Sequence, residues 1–218
     1  MTPQDRAEAP PTTDELTRIL ARPSAMAIFA AIIFLAGGMQ VASEPFVALL
    51  QGATGWDHQY SLGMVTALAL GGLALQCACL LISQRFPVLA AAGAAACYLG
   101  IVVWLAVPNW LTPMPFVVGI AVFLMAAHRR PLVSVVVSAV IIAATAVGLV
   151  AWALSTGAPF AVVSGFVLET TLSFAAPVVG GAALGVWWSR RVERLRRARD
   201  ELAAAARQQE EHVRRARA

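Results

Sequence analysis

Charge is almost absent from the middle of this chain, and no other feature limits its fold as strongly. Of the 28 charged residues, only Glu44, Asp57, Arg85, Arg129, Arg130 and Glu169 fall between Ser24 and Trp188. A soluble domain usually carries about 25% charged residues, whereas this chain carries 13%, with 59% of its residues hydrophobic. The stretch from Ser24 to Trp188 is therefore read as embedded in a membrane. Seven charges precede it and fifteen follow it, so two short polar tails flank one bundle. Neither tail can bury a core of its own. That excludes an appended soluble enzyme domain, a nucleic-acid module and a disulfide scaffold.

A helix rising 1.5 Å per residue needs about 20 apolar residues to cross roughly 30 Å of hydrocarbon. Six runs qualify: Ser24 to Ser43, Ser61 to Ser83, Phe86 to Val107, Leu111 to Ala127, Pro131 to Leu154 and Phe160 to Trp188. They predict an all-α membrane protein, a six-helix transmembrane bundle whose last helix continues into a cytoplasmic coiled coil. Three parts follow: residues 1–23 as a cytoplasmic tail, 24–188 as the bundle and 189–218 as a cytoplasmic coiled-coil linker. The fourth run opens on Pro113 and Pro115, which leaves open a little-tilted span, a non-helical start or a partly interfacial position.

Orientation follows from the arginines, because basic residues near span ends favour the cytoplasmic side. With both termini inside, the inner connections contain Arg85 and the pair Arg129 and Arg130, and no arginine falls outside. Tryptophan rings favour the headgroup level. Trp56, Trp104, Trp110 and Trp152 fall at the expected outer edge, with Trp187 and Trp188 at the inner edge. All sixteen basic residues are arginine, a usage that fits a GC-rich bacterial gene and hence a bacterial cytoplasmic membrane. Asp5, Glu8, Asp14 and Glu15 precede the first apolar run, which argues against a signal peptide and for a retained first span. The segment from Met1 to Thr13 is too polar and proline-rich to fold. Thr12 and Glu15 have capping-box spacing, predicting a short interfacial helix up to Arg22.

The sixth run passes into the arginine-rich tail with no glycine or proline after Trp188. One helix is expected to leave the membrane unbroken. Pro177 within it removes a backbone hydrogen bond and favours a kink or hinge. Beyond Arg190, the residues Val192, Leu195, Arg199, Leu202, Ala206, Gln209, Val213 and Ala216 recur at three and four, which is a heptad seam. Only Val192, Leu195, Leu202 and Val213 are good core residues, so the coiled coil needs support from whatever adjoins it. The same heptad stepped backward reaches Gly185 and Gly181, whose spacing lets two helices approach closely in lipid. A parallel homodimer through the sixth helix is expected. At about 100° per residue, Ser173, Ala176, Gly180, Ala183 and Trp187 share a second face with Glu169. One stripe is then available to the bundle and the other to the dimer.

Glu169 is the only ionisable residue well inside a span, where a charge costs about 2.5 to 3.5 kcal/mol on insertion scales. It is either a ligand-contacting or pH-responsive group, or a protonated carboxyl hydrogen-bonded to a nearby Ser or Thr. Glu44, Asp57 and His58 share the longest outer loop, as a cation or proton site or simply as solvated residues. Cys77 and Cys79 point about 200° apart on a helix and cannot chelate one ion; with Cys97 they read as small apolar fillers. No metal, cofactor or nucleic-acid partner is expected. Catalytic motifs are missing as well: there is no Ser/His/Asp set, glycine-rich phosphate loop, HExxH or intramembrane carboxylate pair.

The stretch Gly185-Val-Trp-Trp-Ser-Arg-Arg-Val-Glu-Arg-Leu-Arg-Arg-Ala-Arg-Asp-Glu-Leu, continuing through His212 to Ala218, resembles the membrane-exit helix of actinobacterial sensor histidine kinases of the NarX and DesK type. In that family such a linker runs into a dimerisation helix whose phosphoacceptor histidine lies in an Arg-Glu-Leu-His-Asp motif. That motif is not in this sequence, and His212, followed by Val213 and Arg214, does not match it. The resemblance implies the sensing and transmitting part of an ATP-dependent protein-histidine kinase, its kinase core either cut away or naturally lacking, with a response regulator reached only through such a core. It further implies a stimulus of membrane lipid, or of an apolar or cationic compound. Signal would then pass through Pro177, Gly181 and Gly185 into Val192, Leu195, Leu202 and Val213. The rival expectation is a small transporter or exporter component with Glu169 as coupling carboxyl, although no internal repeat of the kind common in transporters is visible.

Overall fold

The computed structural model of the protein describes residues 23–43, 61–105, 112–155, 157 and 160–217. They form six helices and, among the described residues, no strand: α1 (Pro23–Val41), α2 (Leu62–Ile82), α3 (Pro87–Leu105), α4 (Met114–His128), α5 (Pro131–Ser155) and α6 (Phe160–Arg217). Each falls on one of the six apolar runs. By length and composition α2, α3, α5 and the apolar part of α6 can each cross a membrane, while α1 and α4 are shorter.

Prolines set several of the boundaries. Pro23, Pro87 and Pro131 are the first residues of α1, α3 and α5, where the missing N–H is one that a helix leaves unpaired anyway. Between α2 and α3 the chain turns on Ser83, whose hydroxyl donates to the Leu80 carbonyl at 2.6 Å. After α4 it turns on Arg129, which is extended while its N–H still reaches the Met125 carbonyl. Gly157, between α5 and α6, has a φ of 67°, a left-handed conformation that strains any L side chain. For the fourth run the non-helical start is what is found. Thr112 and Pro113 precede the helix, Pro113 is its N-cap and Pro115 sits in its first turn.

The shortest helix is the centre of the molecule. α4 touches α2, α3, α5 and α6, and its contact with α6 is the most extensive in the bundle. Met114, Val117, Val118, Ala121, Val122, Met125 and Ala126 are all buried. At 15 residues α4 is about 22 Å long, less than the roughly 30 Å of a hydrocarbon layer. Neighbours enclose it, so its ends need not meet lipid. α1 lies at the periphery against α2, and α5 packs on α6 and α3. Tyr98 of α3 stacks on Phe174 of α6 with ring centroids 4.5 Å apart, in the offset range where aromatic pairs gain beyond their buried area.

Candidate functional site

α4 and α6 are joined through glycine. A Cβ placed on Gly119 would lie 2.6 Å from the Pro177 carbonyl oxygen, and one on Gly185 would lie 2.6 Å from the Phe123 carbonyl oxygen and from Ala126 Cβ. A Cβ on Gly181 would collide with the Gly119 carbonyl oxygen. Only residues without side chains permit this approach, the small-residue packing that brings helix backbones together in lipid. The contacts also fix direction. Gly119 meets Pro177 and Gly181, and further along both helices Phe123, Ala126 and Ala127 meet Gly185. α4 and α6 therefore run parallel, with no flexible side chain between their backbones to absorb a displacement of one against the other.

This reassigns the two stripes of α6. The expected dimer contact, Gly181 and Gly185, faces α4 of the same chain, in one buried line with Thr170, Phe174, Val178 and Ala182. The Glu169 stripe faces outward: Glu169, Ser173, Ala176, Ala183 and Trp187 are exposed. The spacing of Gly181 and Gly185 specifies close approach to some helix but not to which one, and Gly119 of α4 completes the contact within the chain. Among the described residues, neither a hydrogen bond nor an ion pair engages the Glu169 carboxylate. The alternative of a carboxyl bonded to a neighbouring Ser or Thr thus has no described partner.

α6 is a single helix of 58 residues, about 87 Å long at 1.5 Å per residue. Pro177 lies inside it, opposite Gly119. Past Trp188 the helix leaves the bundle. Val192 is half-buried beside the α4–α5 turn, whereas Leu195 and Leu202 are 41% and 71% exposed. The seam is thus anchored at its first residue and open from its second. A helix in a protein draws most of its stability from lateral packing, and the ion pair between Glu193 and Arg197, 4.0 Å apart and exposed on both sides, adds at most about 0.5 kcal/mol. Glu44, Asp57 and His58 lie outside the described residues, as do the interfacial segment up to Arg22 and the side chain of Val213.

Sequence reasoning passed over three features. Gly119 was one; an isolated glycine in an apolar run carries no signal of its own. Gln76 was another. It is fully buried on α2, its Nε2 donates to the Ala94 carbonyl at 2.9 Å, and its Oε1 has no partner among the described residues. The third is the convergence of arginines from the α4–α5 turn with those of α6. Cys77, Cys79 and Cys97 are free thiols, and no metal-binding cluster is found among the described residues. The chain matches no protein-family model, no curated protein and no solved structure; its function is read from its own residues.

Proposed function

We propose that this chain is the membrane-embedded sensing and transmitting module of a bacterial sensor histidine kinase. Its six helices cross the cytoplasmic membrane with both termini inside. α6 carries the signal out of the bundle into a parallel homodimeric coiled coil, and from there to a kinase core that addresses the response regulator. The observation that supports this most is the unbroken course of α6 from Phe160 to Arg217, gripped backbone to backbone by α4 at Gly119, Gly181 and Gly185. A change in lipid packing around the outer helices, or an apolar or cationic compound entering among them, shifts α4. α6 moves with it because nothing compressible separates the two. The exposed Leu195 and Leu202 are then the surface on which two copies zip, and their register is the two-state element biased from the membrane.

The test joins a dimeric histidine kinase core in frame after Ala218 and measures autophosphorylation in nanodiscs made from short-chain or long-chain phospholipid. A several-fold difference between the two bilayers is expected for the native linker. Leu195→Pro, which breaks the helix just beyond the bundle, is expected to erase that difference while leaving the core able to phosphorylate itself. Undiminished bilayer dependence in the Leu195→Pro protein would overturn the relay.

A further inference from the structure

Because α4 and α6 run parallel, the α4–α5 turn lies against α6 just where α6 leaves the bundle. The two segments enclose a groove of about 580 Å³, lined by Arg129 and Arg130 from the turn and by Trp188, Arg190, Glu193 and Arg196 from α6. Its size falls in the range of about 300 to 1,000 Å³ typical of small-molecule sites. Four guanidinium groups converge there against one carboxylate. That carboxylate is drawn toward Arg197, and among the described residues none of the four arginines is in an ion pair. A second groove of about 440 Å³ adjoins it through Arg190 and holds Arg191, whose guanidinium lies 5.3 Å from the Trp187 ring centroid. Uncompensated like charges gathered at one place repel unless an anion joins them.

We propose that this groove is a binding site for the phosphate of an anionic phospholipid headgroup. Guanidinium is the side chain best matched to phosphate, because its planar fork donates two parallel hydrogen bonds to one group. Position favours lipid over a soluble anion. Trp188 lines this groove and Trp187 the adjoining one, and indole rings favour the headgroup level; the groove also reaches Pro131, the first residue of α5, which is followed by the exposed apolar Leu132, Val133 and Val136. A phosphate bound here ties the α4–α5 turn to the first free turn of α6, residues some sixty positions apart in the chain. The inference requires only that the bundle sits in a bilayer, so its failure and that of the kinase reading are separate results.

The experiment extracts the full chain from vesicles holding equal parts phosphatidylglycerol and phosphatidylcholine and counts retained lipid by native mass spectrometry. Phosphatidylglycerol is expected to be retained in preference. R129Q/R130Q and R190Q/R196Q should each lower that retention by about thirtyfold, the effect of two arginines at a charged headgroup. R214Q/R215Q removes the same charge far along α6 and should lower it not at all. E193Q, which removes the one carboxylate among the described residues lining the groove, should raise it, and this arm decides the matter if a double variant fails to fold. Equal retention of phosphatidylcholine, equal loss in R214Q/R215Q, no gain in E193Q, or equally tight binding of inorganic phosphate to lipid-free protein in detergent would each overturn the proposal.

Discussion

Two adjacent glycines of α6 have opposite environments. Nothing lies within 4 Å of a Cβ built on Gly180, whereas one built on Gly181 meets the Gly119 backbone. Gly180→Ala should therefore leave the thermal unfolding midpoint in detergent unchanged or raise it, since alanine is better than glycine in a helix by roughly 0.5 to 1 kcal/mol. Gly181→Val must separate α4 from α6 and is expected to cost about 1 to 3 kcal/mol, seen as a lower midpoint. Equal effects of the two substitutions would refute the α4–α6 contact. The pair also marks what residue types reveal. That Gly181 and Gly185 permit close approach was readable from their spacing, but their partner was not, because Gly119 has no side chain to give a pattern. The isolation of Glu169 within a span was likewise legible, since charge is rare there. Its outward direction was not, because both stripes of α6 carry small residues, Gly181 and Gly185 on one and Ser173, Ala176 and Ala183 on the other, that could equally face the bundle.

At the scale of elements, apolar run length located both ends of α1 to α5 and the start of α6 to within a few residues, while the far end of α6 lies well past its apolar run. Run length misjudged importance. The shortest run gave the most enclosed helix, because burial by neighbours, rather than contact with lipid, satisfies α4. Pro177 is the element-level feature with a measurable consequence. It denies α6 one backbone hydrogen bond at the point opposite Gly119. Pro177→Ala keeps the Cβ that touches Gly119 and restores the bond, so the bundle should gain stability by about 1 to 3 kcal/mol. In the kinase fusion the same change should shrink the difference between short-chain and long-chain bilayers. A stability gain with undiminished bilayer response would show that the proline is no hinge.

At the scale of the molecule, six apolar runs foretell six helices, but nothing in them says which helices touch. Pairing depends on side-chain volumes summed over both partners, which a single chain's periodicity does not contain. The proposed homodimer uses the faces of α6 that the bundle leaves uncovered. In a background of Cys77, Cys79 and Cys97 replaced by alanine, Ala176→Cys and Leu202→Cys, both at exposed positions, should form interchain disulfides on mild oxidation in nanodiscs. Phe174→Cys, on the buried line of α6, should not, since Phe174 lies against Tyr98 inside the chain. Disulfides at none of these positions would rule out a pair formed along α6.

The central place of α4 also bears on how the protein is made. Synthesis delivers α4 before the helix that covers it, so until the ribosome has completed α6 the glycine-faced side of α4 has no companion and an insertase or the lipid itself must shelter it. The last of the six helices to emerge thus completes the middle of the bundle, and a nascent chain halted before Phe160 would expose to quality-control proteases the very helix that the folded bundle conceals most fully.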